Sequence, residues 1–320
     1  MFYEKITKLC ALGLVLLLAG AAVFAIGFAL GDFSVDSLSN STYVMETYTS
    51  PSTEINSIKI ELNNSDIKIV RSDDAEVITV EYPNYYNRRG NSLEECFIKD
   101  EGGEFSLEEV KIKNVIFSLF YTNHGTVTLT LPAALTPTLT LTTDTGDVIL
   151  IEDADTRYES IFINSDTADV TVTDKINVNG KLAIETDTGD IKLGTVNTQK
   201  LSLETNTGDI TLKGGNARDG VEINVDTGDV ELEADLITSV LVIDSDTGDL
   251  ELSDGTVIAN EIYIETDTGD IEILLFGDYA DYQVMLDIRP SNVNINPSNG
   301  GPKKLSISSD TGDATVYFTE

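Results

Sequence analysis

A twelve-residue pattern, typified by LAIETDTGDIKL from Leu182 to Leu193, recurs about every twenty residues through most of this chain. Close relatives begin at 139, 161, 201, 221, 241, 262 and 305, and looser copies begin at 58 and 284. The position after the turn glycine, or after its equivalent, falls at Asp147, Asp169, Asp190, Asp209, Asp229, Asp249, Asp270, Asn292 and Asp313, in steps of 19 to 22 residues. Within each copy apolar residues alternate, as Leu182 and Ile184 before the turn and Ile191 and Leu193 after it, while Glu185 and Lys192 point the other way. All forty such positions in the ten copies are Val, Ile or Leu, except Ala314. A unit this short cannot bury its apolar face alone, but stacked copies cover one another. The pattern therefore predicts an all-β chain folded as a parallel, right-handed β-solenoid with coils of about twenty residues. A β-sandwich would not require the same side chain at the same offset in every repeat. At about 4.8 Å per coil, thirteen or so coils between 58 and 316 would make a rod roughly 60 Å long.

Residues 82–124 break the count. Tyr82 to Asn87 and Arg88-Arg89-Gly90 form an excursion, followed by a predicted hairpin of Cys96–Lys99 and Phe105–Lys111 around Glu101-Gly102-Gly103. Alternation resumes at Thr126–Pro132, so this segment is expected to cap the solenoid or to present a partner-binding loop. Glu320 ends the chain inside its last copy, which predicts an open final coil and end-to-end self-association through unpaired ladder groups.

The recurring Asp-Thr-Gly-Asp is expected to form a tight turn in which the first aspartate accepts backbone N–H groups and glycine supplies a positive φ. Asp-Thr-Gly also marks aspartic proteases, but those use two such loops with Ser or Thr after the glycine, so that two carboxylates share a proton. Here Asp follows, and the motif repeats along the chain. No catalytic residue is assigned. Stacked carboxylates about 4.8 Å apart repel by about 0.9 kcal/mol per pair even in water. Hydrogen bonds to turn amides could offset this, and so could Ca²⁺, which prefers carboxylate and carbonyl oxygens. The candidate calcium ligands are Asp144, Asp147, Asp187, Asp190, Asp226, Asp229, Asp246, Asp249, Asp267, Asp270, Asp310 and Asp313.

Charge narrows the partners. Of 320 residues, 20 are Lys or Arg and 55 are Asp or Glu, a net charge of −35 that excludes nucleic acid and anionic lipid surfaces. From Asp219 to Asp287 there are 20 acids and no Lys or Arg, a face that suits a cationic partner or simply keeps the rod soluble. Two Cys, one His and no Trp exclude zinc clusters and disulfide frameworks. The 22 uncharged residues from Leu9 to Leu30 are long enough to cross a bilayer. Lys5 and Lys8 before them, with Asp32 and Asp36 after, place the N-terminus in the cytoplasm. The domain plan is thus a tail at 1–8, a transmembrane helix at 9–30, a linker at 31–54 and an extracytoplasmic solenoid at 55–320. Removal of the apolar run as a signal peptide is the alternative.

TVTLTLPAALTPTLTLTTDTGDVIL, followed by serial TDTGDI turns, resembles the bacterial putative-adhesin family of domain-of-unknown-function envelope proteins. The resemblance covers about residues 55–320. It implies a β-solenoid at the cell envelope, with adhesion or envelope-stress association as its role and no catalytic residue to carry over. The expected function is therefore a membrane-anchored, non-enzymatic surface interaction protein whose partner is an envelope component or another protein. The alternatives are a calcium-dependent surface module and a polysaccharide-active enzyme, the latter disfavoured because the acidic repeats carry few cations to act as catalysts, with Arg157, Arg218 and Arg289 as the only arginines.

Overall fold

A computed structural model describes residues 41–87, 92–111, 125–152, 157–288 and 292–320. The expected helix at 9–30, Cys10, the linker up to residue 40, Arg88-Arg89-Gly90 and Arg289 lie outside the described residues. Among the described residues no helix is long and apolar enough to cross a membrane.

The chain divides into two units. The smaller takes in Asn84–Glu95, where an antiparallel pairing sets Tyr85 opposite Glu94, and the Tyr43 and Tyr85 rings lie 5.8 Å apart. The larger, Met45–Pro83, Cys96–Val110 and Gly125–Glu320, holds the repeats and is a parallel β-solenoid. Ile163, Ile184, Leu203, Ile223, Ile243 and Ile264 stand directly above one another in parallel register. The apolar column read from the sequence is therefore a physical column. Each coil has a face before the turn, a face after it, and a third face built from such strands as Gly215–Thr227 and Leu236–Thr238. All four predicted columns are buried, apart from Leu286, Val293 and Ile295, which are half-buried at one end.

The order of coils departs from the order of sequence at both ends. Ser57–Leu62 pairs directly with Thr138–Thr145, although the whole interruption lies between Ile58 and its partner Leu139 in sequence. The interruption does not supply several coils between them. It supplies one on the outer side, with Phe105 opposite Ile58 and Leu107 opposite Ile60, and with Thr126–Pro132 lying along Asp66–Ser72. Phe105 and Leu107 are fully buried there, so the capping expectation acquires a definite form. Gly102 and Gly103 join Ser92–Glu101 to Glu104–Lys111 with φ of 66° and 82°, as a type I′ hairpin turn requires.

At the other end, Lys303–Thr311 pairs with both Glu261–Thr268 and Tyr282–Ile288. The last copy in sequence is therefore next to last in space, covered by the copy that precedes it. This corrects the open final coil: Tyr282–Ile288 covers it, its own far side meets Ser298–Asn299 antiparallel at Gln283 and Val284, and Asn294 closes the coil beneath by exchanging 2.9 Å hydrogen bonds with the Val316 N–H and C=O. The coil count is corrected too. Eleven strands stack on the first face among the described residues, giving about 48 Å from first to last.

Candidate functional site

The Asp-Thr-Gly-Asp turns line up along one edge, and their backbone groups decide what the carboxylates do. In a parallel stack each turn must satisfy its amides against the next coil. The Gly N–H donates to the threonine carbonyl one coil on, as Gly208 to Thr227 at 3.0 Å, and the residue after the motif donates to the next aspartate carbonyl, as Ile210 to Asp229 at 2.9 Å. That leaves the N–H of the second aspartate, which donates to the side chain of the equivalent aspartate one coil back. Asp169 donates to Asp147, Asp190 to Asp169, Asp209 to Asp190, Asp229 to Asp209 and Asp249 to Asp229, all at 2.8 to 3.1 Å. Asp270 continues the series onto Asp249, Asp313 onto Asp270 and Asn292 onto Asp313, each at 2.8 Å.

One carboxylate oxygen in each coil is thus a backbone acceptor for its neighbour. A hydrogen bond to an ionised acceptor is worth about 1.5–3 kcal/mol, more than the repulsion between successive charges. Hydrogen-bonded turns are present as expected, with a corrected assignment: the second aspartate accepts, across coils, instead of the first within its turn. Where the amide bond is joined by a cation the effect on acidity is visible. Lys192 Nζ lies 2.8 Å from Asp190, and this contact, helped by the Asp209 amide, holds the Asp190 carboxyl below its ordinary range. Asp313 is lowered in the same sense by the Asn292 amide.

Both ends of this ladder are closed. At the first, Glu109 Oε2 accepts the N–H groups of Asn63 and Asn64 at 2.7 and 3.2 Å, and the Asp66 N–H donates to the Gly125 carbonyl. At the other, the carboxamide of Asn292 reaches Asp313 at 3.3 Å. The turn glycines have φ between 143° and 159°, outside the left-handed helical well. Their need for glycine also comes from the stack: a Cβ on Gly208 would collide with the Gly189 carbonyl, and one on Gly228 with the Gly208 carbonyl. Ala168, in the same column, takes no positive φ.

The first aspartates, Asp144, Asp187, Asp226, Asp246, Asp267 and Asp310, are exposed one step outside the ladder, and Asp187 accepts from the Asn206 carboxamide at 3.3 Å. The candidate calcium ligands accordingly form two files along one edge. Among the described residues no three acidic, His or Cys groups converge as a metal would require. Beside them the threonines form a file of their own, with Thr188, Thr207, Thr227, Thr247 and Thr268 in register and exposed.

Two features escaped the sequence reading. Thr143, Ser165, Thr186, Thr205, Ser245, Thr266 and Ser309 form a buried column of hydroxyls, with Val225 at the same place in its own coil. Their signal was the small hydroxyl two residues before the turn threonine. The second is a buried ion pair. Arg71 follows Ile67 and Ile69 at a spacing of two, and Glu152 follows Val148 and Leu150, so both project inward. Arg71 and Glu152 lie 3.9 Å apart with no side-chain exposure, and the Tyr158 hydroxyl joins them at 3.1 Å from Arg71 and 2.6 Å from Glu152. The Arg71 guanidinium stacks 4.1 Å from the Tyr158 ring centroid and donates to the carbonyls of Pro132, Leu135 and Arg157. Burial pushes the Tyr158 hydroxyl far above its usual range.

The fold and its turn ladder define a β-solenoid repeat protein whose turn amides are bound by its own side chains. The profile of the Toastrack DUF4097 family, a domain of unknown function, matches residues 55–316, and the chain belongs to that family. None of the curated proteins matches it. Similar solved structures include a putative adhesin from Parabacteroides distasonis, 14% identical with a TM-score of 0.43, covering 87% of this chain and 97% of that one. Another putative adhesin, from Parabacteroides merdae, is 14% identical with a TM-score of 0.42 and the same coverage. A putative cell adhesion protein from Clostridium sporogenes is 10% identical with a TM-score of 0.28, covering 87% of this chain and all of that one. Nothing about ligand or role is carried over from these three.

Proposed function

We propose that this chain is a membrane-anchored, extracytoplasmic interaction protein that works without catalysis, in adhesion or envelope sensing. The observation that carries this reading is the engagement of the ladder. The second aspartate of each turn is bound to a backbone amide of the next coil, and a group in that position serves the scaffold instead of shuttling protons or attacking a substrate. The faces of such a scaffold are free to diversify, as outward positions of a repeat protein do. Leu9 to Leu30 supports single-pass anchoring with the solenoid outside the cell. Self-association would use the edge of Tyr282–Ile288 beyond Val284, past its short pairing with Ser298–Asn299.

Two measurements test this. A Thr247→Cys variant, at an exposed position of the turn edge, is expected to react with a membrane-impermeant maleimide in intact cells. Labelling only after lysis would refute the topology. The purified chain should be retained by native envelopes and should release no new reducing ends from neutral or acidic glycans; glycan cleavage would refute the non-enzymatic role.

A further inference from the structure

Arg157 and Arg218 are far apart in sequence and sit in a strongly acidic protein, yet both line one groove of about 400 Å³ on the third face. Neither guanidinium has an ion-pair or hydrogen-bond partner among the described residues. The isolated bridge of Tyr158 to Val178, with the registers Asn177 to Asn197 and Asn197 to Asn216, sets Arg157, Asn177, Asn197 and Asn216 in one outward file. Arg218 follows Ala217 at the far end of the groove. The Asn197 carboxamide donates to Asn177 at 3.3 Å, and that of Asn216 has no partner among the described residues.

The groove is built from the inside. The carbonyl of Arg157 is held at 2.9 Å by the fully buried Arg71, and Tyr158 beneath it is locked in the Arg71–Glu152 network. Thr198, on the floor, is tied down by hydrogen bonds to the Gly180 and Lys200 carbonyls. The acids closest in the repeat are already engaged, Glu159 by Asn179 and Asp219 by Gln199.

We propose that this groove binds an extended glycan bearing carboxylates on some of its sugars, a ligand assignment that rests on the reading of this chain as a surface interaction protein. A carboxamide offers one donor pair and one acceptor, which suits hydroxyl and N-acetyl groups. Repeated every 4.8 Å or so, such groups follow a polymer that advances by about one sugar per coil. The two arginines, on coils about 14 Å apart, supply the fork geometry that carboxylates accept in pairs. A densely charged polyanion would be repelled by the net charge of −35, whereas the field felt by a sparse acid group is local within a Debye length of about 8 Å.

The test is calorimetric titration of the purified full-length chain with a hyaluronan hexasaccharide, in which uronate alternates with N-acetylhexosamine, so that any one register sets a carboxylate against one of the two arginines and the double variant removes both registers. Binding is expected, with at least a tenfold loss in the Arg157→Gln/Arg218→Gln double variant and an unchanged melting temperature. Asn216→Ala should weaken it severalfold. Equal affinity for the neutral chitin hexasaccharide, binding undiminished in the double variant, or no heat with any hexasaccharide would each overturn the proposal. Envelope retention measured in parallel separates the two readings. Retention that survives the double variant leaves the surface role intact while removing the groove from it, and cleavage of the bound glycan refutes the non-enzymatic role while leaving the groove.

Discussion

The turn aspartates carry two opposite electrostatic effects at once, and their balance is a residue-scale question. Asp190 is held below its ordinary acidity range by Lys192 and the Asp209 amide. A carboxyl lowered on folding contributes stability that is fully present above the unfolded aspartate value of about 3.9 and is lost as pH falls through the lower folded value. Asp190→Asn keeps an acceptor for the Asp209 amide but not the charge. Melting curves from pH 2 to 7 should show a shallower acid limb in that variant, with a lower melting temperature than wild type at pH 7 and convergence of the two at the acid end. Because the ladder is closed by amides, chelator should leave the melting temperature of the wild-type chain unchanged; a rise on adding calcium would restore the metal reading. Gly208→Ala tests the close approach of coils. The strain of its positive φ alone costs about 1–3 kcal/mol, measurable by urea unfolding. Thr266→Val tests the buried hydroxyl column, where Thr266 Oγ1 has no hydrogen-bond partner among the described residues and Val225 already occupies the same place in its coil. The isosteric exchange should be neutral or stabilising by up to about 1 kcal/mol.

Among the elements, the strands Asp66–Ser72 and Val148–Ile151 each meet a buried charge next after their apolar pairs, as Glu104–Lys111 does at Glu109. Arg71 ends the alternation of the first inside the core, and Glu152 stands just beyond the second. An ion pair without solvent is costly to break because the surviving charge remains buried. Arg71→Met should therefore destabilise the solenoid by about 3–5 kcal/mol, and adding Glu152→Leu should recover most of the loss. A double-mutant cycle by chemical denaturation measures the coupling. The pair is legible in principle, since each residue falls on the inward phase of a period of two. It escapes a reading of the sequence because charge at an inward position contradicts the burial rule unless a partner is known, and the partner lies on another coil.

At the scale of the whole solenoid, both terminal copies are inserted one coil inside their ends. Ser57–Leu62 lies between Glu104–Lys111 and Thr138–Thr145, and Lys303–Thr311 lies between Glu261–Thr268 and Tyr282–Ile288. A strand paired on two sides cannot fray alone, so loss of either end requires removal of an outer coil first. Deleting residues 303–320 should therefore do more than shorten the stack. It leaves Tyr282–Ile288 without its parallel partner and opens the edge of Glu261–Thr268, an exposed template for pairing with other chains. Lower melting temperature and concentration-dependent association in sedimentation are the expected outcomes, and a monomer of unchanged stability would contradict the sealing role.

The repeat determined by itself that the fold is a parallel stack, which columns are buried and where the turns fall, because a period of two interrupted every twenty residues has few ways to bury Val, Ile and Leu. Local chemistry also announced the hairpin around Gly102-Gly103, through the φ freedom that only glycine offers there. The tertiary structure alone decided which copies are neighbours at the ends, why Glu109 and Asn292 close the ladder, and how Arg157 comes to share a groove with Arg218. Those outcomes depend on pairings between segments with similar local patterns, and identical alternation fits several partners equally well. Only the three-dimensional competition for the same sheet edge distinguishes them.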